Sequence, residues 1–140
     1  MRQATLTIAI ETRGRSLYEF TDKVLRWLAD EKFAVGLLTV YCRHTSASLL
    51  IQENADPDVQ TDLTTALRML APHDGPWIHT TEGPDDMPAH IKAMLTGVSL
   101  HIPVRAGVLG LGTWQGIYLV EHRATPHRRE IILQFVGSRW

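Results

Sequence analysis

The chain has 140 residues, 44% of them hydrophobic and 21% charged, and a formal net charge of -1 at pH 7. Residues 1–140 suffice for one domain with a proper core and are too few for two, and the near-neutral balance excludes a general field for nucleic acid or an anionic membrane surface. The single Cys42 can form no internal disulfide, the first residues do not resemble a signal peptide, and no run approaches the ~18 apolar residues of a membrane span, so a cytoplasmic protein is expected.

In chain order, Thr5 to Thr12 alternates at period two and predicts a half-buried strand. Ser16 and Glu19 have the spacing of a capping box, and Leu17, Phe20, Val24, Leu25 and Leu28 recur at helical spacing, which predicts a helix over 17–30. Phe33 to Arg43 reads as a central strand, and Ser46 to Gln52 as its hairpin partner or continuation. Asp56 can cap a helix that begins at Pro57, with Val59, Leu63, Leu67 and Leu70 on its inner stripe and Pro72 as its stop. A loop follows from His73 to Asp86, then a short helix near Pro88 to Leu95 that ends before Gly97. Ser99–Arg105, Val108–Leu111, Ile117–His122 and Glu130–Val136 read as further strands. Strands and helices do not alternate as βαβ units. The expected class is therefore α+β, a sandwich-like, mixed and mainly antiparallel sheet with two main helices and one short one.

Three stretches carry polar groups that neither a core nor a plain surface requires. Arg43-His44-Thr45-Ser46-Ala47-Ser48 ends a strand with an imidazole and three hydroxyls, groups that can hold a phosphate or simply suit a turn. In Glu82 to His90, Asp86 and His90 stand four apart at a helix start and share a face, as a base with its orienting partner or as a metal ligand with its support. Trp114 to Arg123 joins a Gly-rich turn with Trp114 and Gln115 to a strand ending in Glu121, His122 and Arg123. No CxxC, HExxH or P-loop signature occurs. A Ser-His-Asp triad can be assembled on paper from Ser46 or Ser48, His90 or His122, and Asp85, but it lacks a nucleophile elbow.

His44 to Ser48, Glu53 to Pro57, Glu82 to Ile91, Ile102 to Val104, Leu111 to Ile117 and Glu121 to Arg123 together resemble the YjbQ family, in order and over a large part of the chain. The resemblance implies a small α+β protein that forms homotrimers, and some members of that family are secondary thiamine-phosphate synthases. It further implies an imidazole cluster of His44, His90 and His122, with Asn54, Asp85, Trp114, Gln115, Glu121 and Arg129 as other matching groups. His73, His79, His101 and His127 fall outside the pattern and are left out of the expected site.

Three imidazoles with an open position suit Zn²⁺, and a diphosphate substrate would bring Mg²⁺, so a divalent metal is expected and no organic cofactor. His90, Glu121 and Asp85 are the expected catalytic groups. Thr45, Ser46, Ser48, Asn54, Trp114, Gln115, Arg123 and Arg129 are the expected contacts to a small phosphorylated heterocycle. The implied reaction joins a pyrimidine diphosphate to a thiazole phosphate, at a pocket drawn from two subunits. Dedicated enzymes for it are (β/α)₈ barrels of ~250 residues, so a synthase built on this chain is a separate solution. The alternatives are a metal- or ligand-binding protein without turnover and a metal-dependent hydrolase.

Overall fold

The computed structural model describes residues 1–140. Its elements are β1 (Arg2–Thr12), β2 (Ser16–Glu19), α1 (Thr21–Glu31), β3 (Phe33–Cys42), β4 (Ala47–Glu53), α2 (Pro57–Leu70), α3 (Asp86–Thr96), β5 (Ser99–Arg105), β6 (Val108–Leu109), β7 (Gln115–Glu121) and β8 (His127–Arg139). They form a five-stranded sheet ordered β1-β8-β3-β5-β6 and a three-stranded sheet ordered β2-β7-β4. Every strand pairing is antiparallel.

Alternation along the strands builds one shared core. Leu38, Val40, Ile131, Leu133 and Phe135 of the large sheet join Leu49, Ile117 and Leu119 of the small one, with Val24, Trp27 and Leu28 of α1. Phe33 stacks on Phe135 with ring centroids 3.9 Å apart, and Trp27 meets Phe33 edge-on at 5.0 Å. Burying each such aromatic side chain stabilises the fold by about 1.5–3 kcal/mol. Gly36 lies opposite Gly137 in the β3/β8 ladder, and a side chain at either would run into the facing backbone and the Phe135 ring.

Several expectations are corrected. Ser16–Glu19 is a strand and not a capping box, because its four residues pair with Tyr118 to Glu121 of β7. The helix therefore starts at Thr21. β4 is neither partner nor continuation of β3. The link Arg43 to Ser46 carries the chain from the large sheet to the small one, where β4 pairs with β7. The α3 helix has 11 residues, as many as α1, so it is not the short one. On α2, Asp56 caps as expected and accepts the Asp58 N–H at 2.9 Å.

Candidate functional site

Each group of polar residues is positioned by a strand end or by the start of α3. The β4/β7 ladder pairs Ala47 with Glu121 at one end and Glu53 with Gln115 at the other. At ~3.3 Å per residue these ends lie about 20 Å apart. Asn54, Trp114 and Gln115 gather at the Glu53 end: the Asn54 amide donates to Glu19 at 3.2 Å, Gln115 Oε1 accepts the Gly112 N–H at 2.8 Å, and Trp114 is exposed. Ser46, Ser48, Glu121, His122 and Arg129 gather at the other end. Within one chain, the expected substrate contacts are thus split between two places.

At the Glu121 end the groups are buried and engaged with one another. Arg129 donates from Nε to Glu121 Oε1 at 2.8 Å and from Nη2 to Oε2 at 2.5 Å, and also reaches Ser46 Oγ at 3.0 Å. Thr12 donates to Glu121 Oε1 at 2.6 Å. Burial pushes the Glu121 carboxyl up, but the hydrogen bonds from Arg129, Thr12 and the Arg123 N–H outweigh it and leave the group below its ordinary range. A carboxylate so occupied is no free base.

His122 lies beside Ser48, its Nε2 2.8 Å from the hydroxyl. Burial, then the nearby Lys92 charge, pushes its imidazole down to about 3, so it is neutral. Thr96 donates to Ser48 Oγ at 2.5 Å. This Ser–His pair is closed to bulk solvent, since Ser48 and His122 are 0% and 2% exposed. It is a structural pair and not a nucleophile.

The start of α3 is the exception. Asp86 and His90 do share a face, and His90 Nδ1 lies 2.7 Å from the Asp86 carbonyl, which leaves Nε2 bare for a proton or a ligand. The preceding loop turns back at Gly83, with φ +107° and its N–H on the Thr80 carbonyl, and brings His79 Nε2 to 2.6 Å from Asp86 Oδ2. Arg123 fixes this corner from below, donating to Asp85 Oδ2 at 3.1 Å, Asp86 Oδ1 at 2.8 Å and the Glu82 carbonyl at 2.8 Å. Burial raises the Asp85 carboxyl, yet the Ala124 N–H and the Arg123 guanidinium hold it below the usual carboxylate range. Arg123 and Asp85 therefore brace the corner.

His79, Asp86 and His90 bring one ligand-type atom each within 4.8 Å of one another. Two imidazoles and a carboxylate suit a borderline divalent ion such as Zn²⁺, and the same set can act as an acid–base pair oriented by Asp86. His90 also lines a groove of about 730 Å³ between α3 and the end of β3, where it faces Tyr41, Arg43, His44 and Thr45. His44 enters the groove with Nε2 occupied, accepting the Glu130 N–H at 2.8 Å. Burial and then Arg129 lower its basicity.

The expected triad of His44, His90 and His122 is thus not gathered in one chain, because His122 is buried against Ser48 and His44 is held by Glu130. His90 keeps company with His79 instead. His79 was missed because it lies in a loop, seven residues before Asp86, where no periodicity places it. Its only sequence signal is that spacing.

The chain matches the family described as UPF0047 protein YjbQ-like over residues 6–138. A UPF0047 protein of Synechocystis sp. is 53% identical over 98% of this chain and 94% of its own. UPF0047 protein YjbQ of Escherichia coli O157:H7 is 44% identical, over 97% of this chain and 98% of its own. Among solved structures, an uncharacterized conserved protein of the YjbQ/UPF0047 family from Clostridium acetobutylicum superposes with a TM-score of 0.87 at 35% identity, covering 94% of this chain and 99% of that one. A hypothetical protein from Aeropyrum pernix K1 superposes with a TM-score of 0.85 at 33% identity, covering 99% and 100%.

Proposed function

The chain belongs to the UPF0047 YjbQ-like family, and from that premise we propose that it is a metal-dependent enzyme acting on a small phosphorylated heterocycle. The observation that carries this reading is the convergence of His79, Asp86 and His90 within 4.8 Å beside the His44–His90 groove. His79, Asp86 and His90 would hold a divalent ion, which when bound would supply Lewis-acid stabilisation to a phosphate or diphosphate group. The chain's own residues do the rest. Asp86 is held by Arg123, and His90 is oriented by the backbone carbonyl it bonds, so that both keep their aim with little reorganisation.

The reaction we assign is the one that the family resemblance implies, a secondary thiamine-phosphate synthase activity. The thiazole nitrogen attacks the pyrimidine methylene, the bond from that carbon to the diphosphate oxygen breaks, and pyrophosphate leaves with the electron pair. The groove is wide enough for a heteroaromatic ring, and its Arg43 and His44 edge can meet the phosphates. Metal-dependent hydrolysis is the second reading, favoured by the 2.6 Å contact of His79 with Asp86, an arrangement that can activate water.

We further propose that the working form is a homotrimer whose subunits meet on the outer face of the large sheet. Val35, Leu37, Tyr41 and Val136 are exposed there, and Tyr41 also lines the groove, so a neighbour on this face would add a wall to the site. Light scattering is expected to return three chain masses; a monomer at working concentration contradicts it.

The test of the metal reading is elemental analysis of the wild type beside His79→Ala and His90→Ala, with turnover assayed on the two heterocyclic phosphates. We expect stoichiometric metal in the wild type, affinity weakened by about 10-fold or more in each variant, and loss of turnover in both. A wild type that takes up no Zn²⁺, Mn²⁺ or Mg²⁺ sinks the metal reading. Metal uptake without turnover leaves a binding protein.

A further inference from the structure

Lys92 is a lysine folded almost wholly out of solvent without a carboxylate partner. It sits on α3 and is 4% exposed, but no carboxylate lies within ion-pair distance of its ammonium. Burial lowers its basicity, and the like charges of Arg15 and Arg68 push it the same way. Asp85 is the one acid that acts on it from nearby, and that carboxylate is already held by Arg123 and the Ala124 N–H. A fourth basic group closes the ring: Arg15 Nη1 donates to His73 Nε2 at 2.7 Å.

Arg15 and Lys92 line a cleft between β2, α2, α3 and the end of β7. Its inner end is about 20 Å³, the size of one polar group, and Lys92 lines it with Ser16, Thr64, Arg15 and the neutral His122. Glu121 also borders the inner end but is paired with Arg129. A second, wider pocket of about 370 Å³ shares Ser16 and Thr64 with it, and Thr61, Thr65 and Arg68 line that pocket without any hydrophobic residue. The Lys92 stem is packed away while its ammonium is left to the cleft with no counter-ion, where only water can compensate the charge. An anion that enters the cleft supplies the missing partner.

We propose that this cleft is a binding site for a phosphate group. One phosphate oxygen reaches Lys92 at the narrow end, and the others lie at the mouth among Ser16, Thr64 and Arg68. The exposed Arg15 is free to swing from His73 onto the same group. The site does not depend on the metal reading. Lys92 and His90 are two residues apart on α3, about 200° around the helix, and so address different sides of it.

The experiment is calorimetric titration of the full chain, at constant ionic strength and in EDTA, with inorganic phosphate and with phenyl phosphate. EDTA removes any ion at the histidine cluster, so failure of the metal reading and failure of this one are told apart. We expect saturable binding by the wild type, and Lys92→Met to weaken it by about tenfold or more, the size of one charge-assisted contact. Phenyl phosphate binding more tightly than inorganic phosphate assigns the site to a phosphomonoester; equal binding assigns it to free phosphate. Should Lys92→Met fail to fold, the exposed Arg68→Gln takes its place, with weakening of about threefold or more expected. Absence of saturable binding in the wild type, or binding unchanged in the variants, overturns the proposal.

Discussion

Arg129→Leu is expected to destabilise the protein by about 3–5 kcal/mol, because it leaves the Glu121 carboxylate buried without its counter-charge. The two residues are 4% and 1% exposed, and their bidentate contact joins β8 of the large sheet to the end of β7 in the small one. Thr12, from β1, donates to the same carboxylate, so three strands of two sheets meet on one acid. The remaining donors, the Thr12 hydroxyl and the Arg123 N–H, cannot replace a guanidinium. The double variant Glu121→Leu/Arg129→Leu is expected to recover most of the loss, since an apolar pair of similar volume removes the desolvation cost of both charges. Urea unfolding of the wild type, both single variants and the double variant measures the coupling directly. A loss below about 1 kcal/mol in Arg129→Leu would mean that water reaches Glu121 and that the pair ties nothing together.

The second large effect is a dependence of stability on pH. His122 titrates near 3 in the fold and near 6.5 when unfolded, so between these values the unfolded chain holds a proton that the native chain does not. Stability therefore falls as the pH falls through that window, by about 2 kcal/mol from pH 7 to pH 5 and about 4 kcal/mol by pH 3. His44 and His73 are lowered too and act in the same sense. Glu121 and Asp85, both held below their ordinary range, add to the loss only at lower pH. His122→Gln keeps an amide beside Ser48 but removes the titration. Its unfolding free energy is expected to be flatter between pH 7 and pH 5 than that of the wild type. Parallel curves for the two proteins would refute the assignment.

The helix start at Asp86 and the loop before it show where sequence reading stops. The i, i+4 pair of Asp86 and His90 was legible because helical geometry is local. His79 was not, because its approach depends on the turn at Gly83 and on Arg123, which arrives from 37 residues beyond Asp86 to fix that acid. Nothing in the sequence singles out Lys92, since only the packing of β2 and α2 over α3 folds it away without a carboxylate partner.

What the amino-acid sequence determined by itself was the α+β class with a mainly antiparallel sheet, most of the strands, the Asp56-capped helix and the family, all of which follow from local periodicity, capping chemistry and motif order. Only the tertiary structure decided that Ser16–Glu19 is a strand, that β4 belongs to the second sheet, and that Asn54, Trp114 and Gln115 lie a ladder's length from His122. It also decided that His90 meets His79 and not His44 with His122. Each of these depends on contacts between residues distant in sequence. The free energy of such contacts comes from burial and pairing across the two sheets, which no local pattern records.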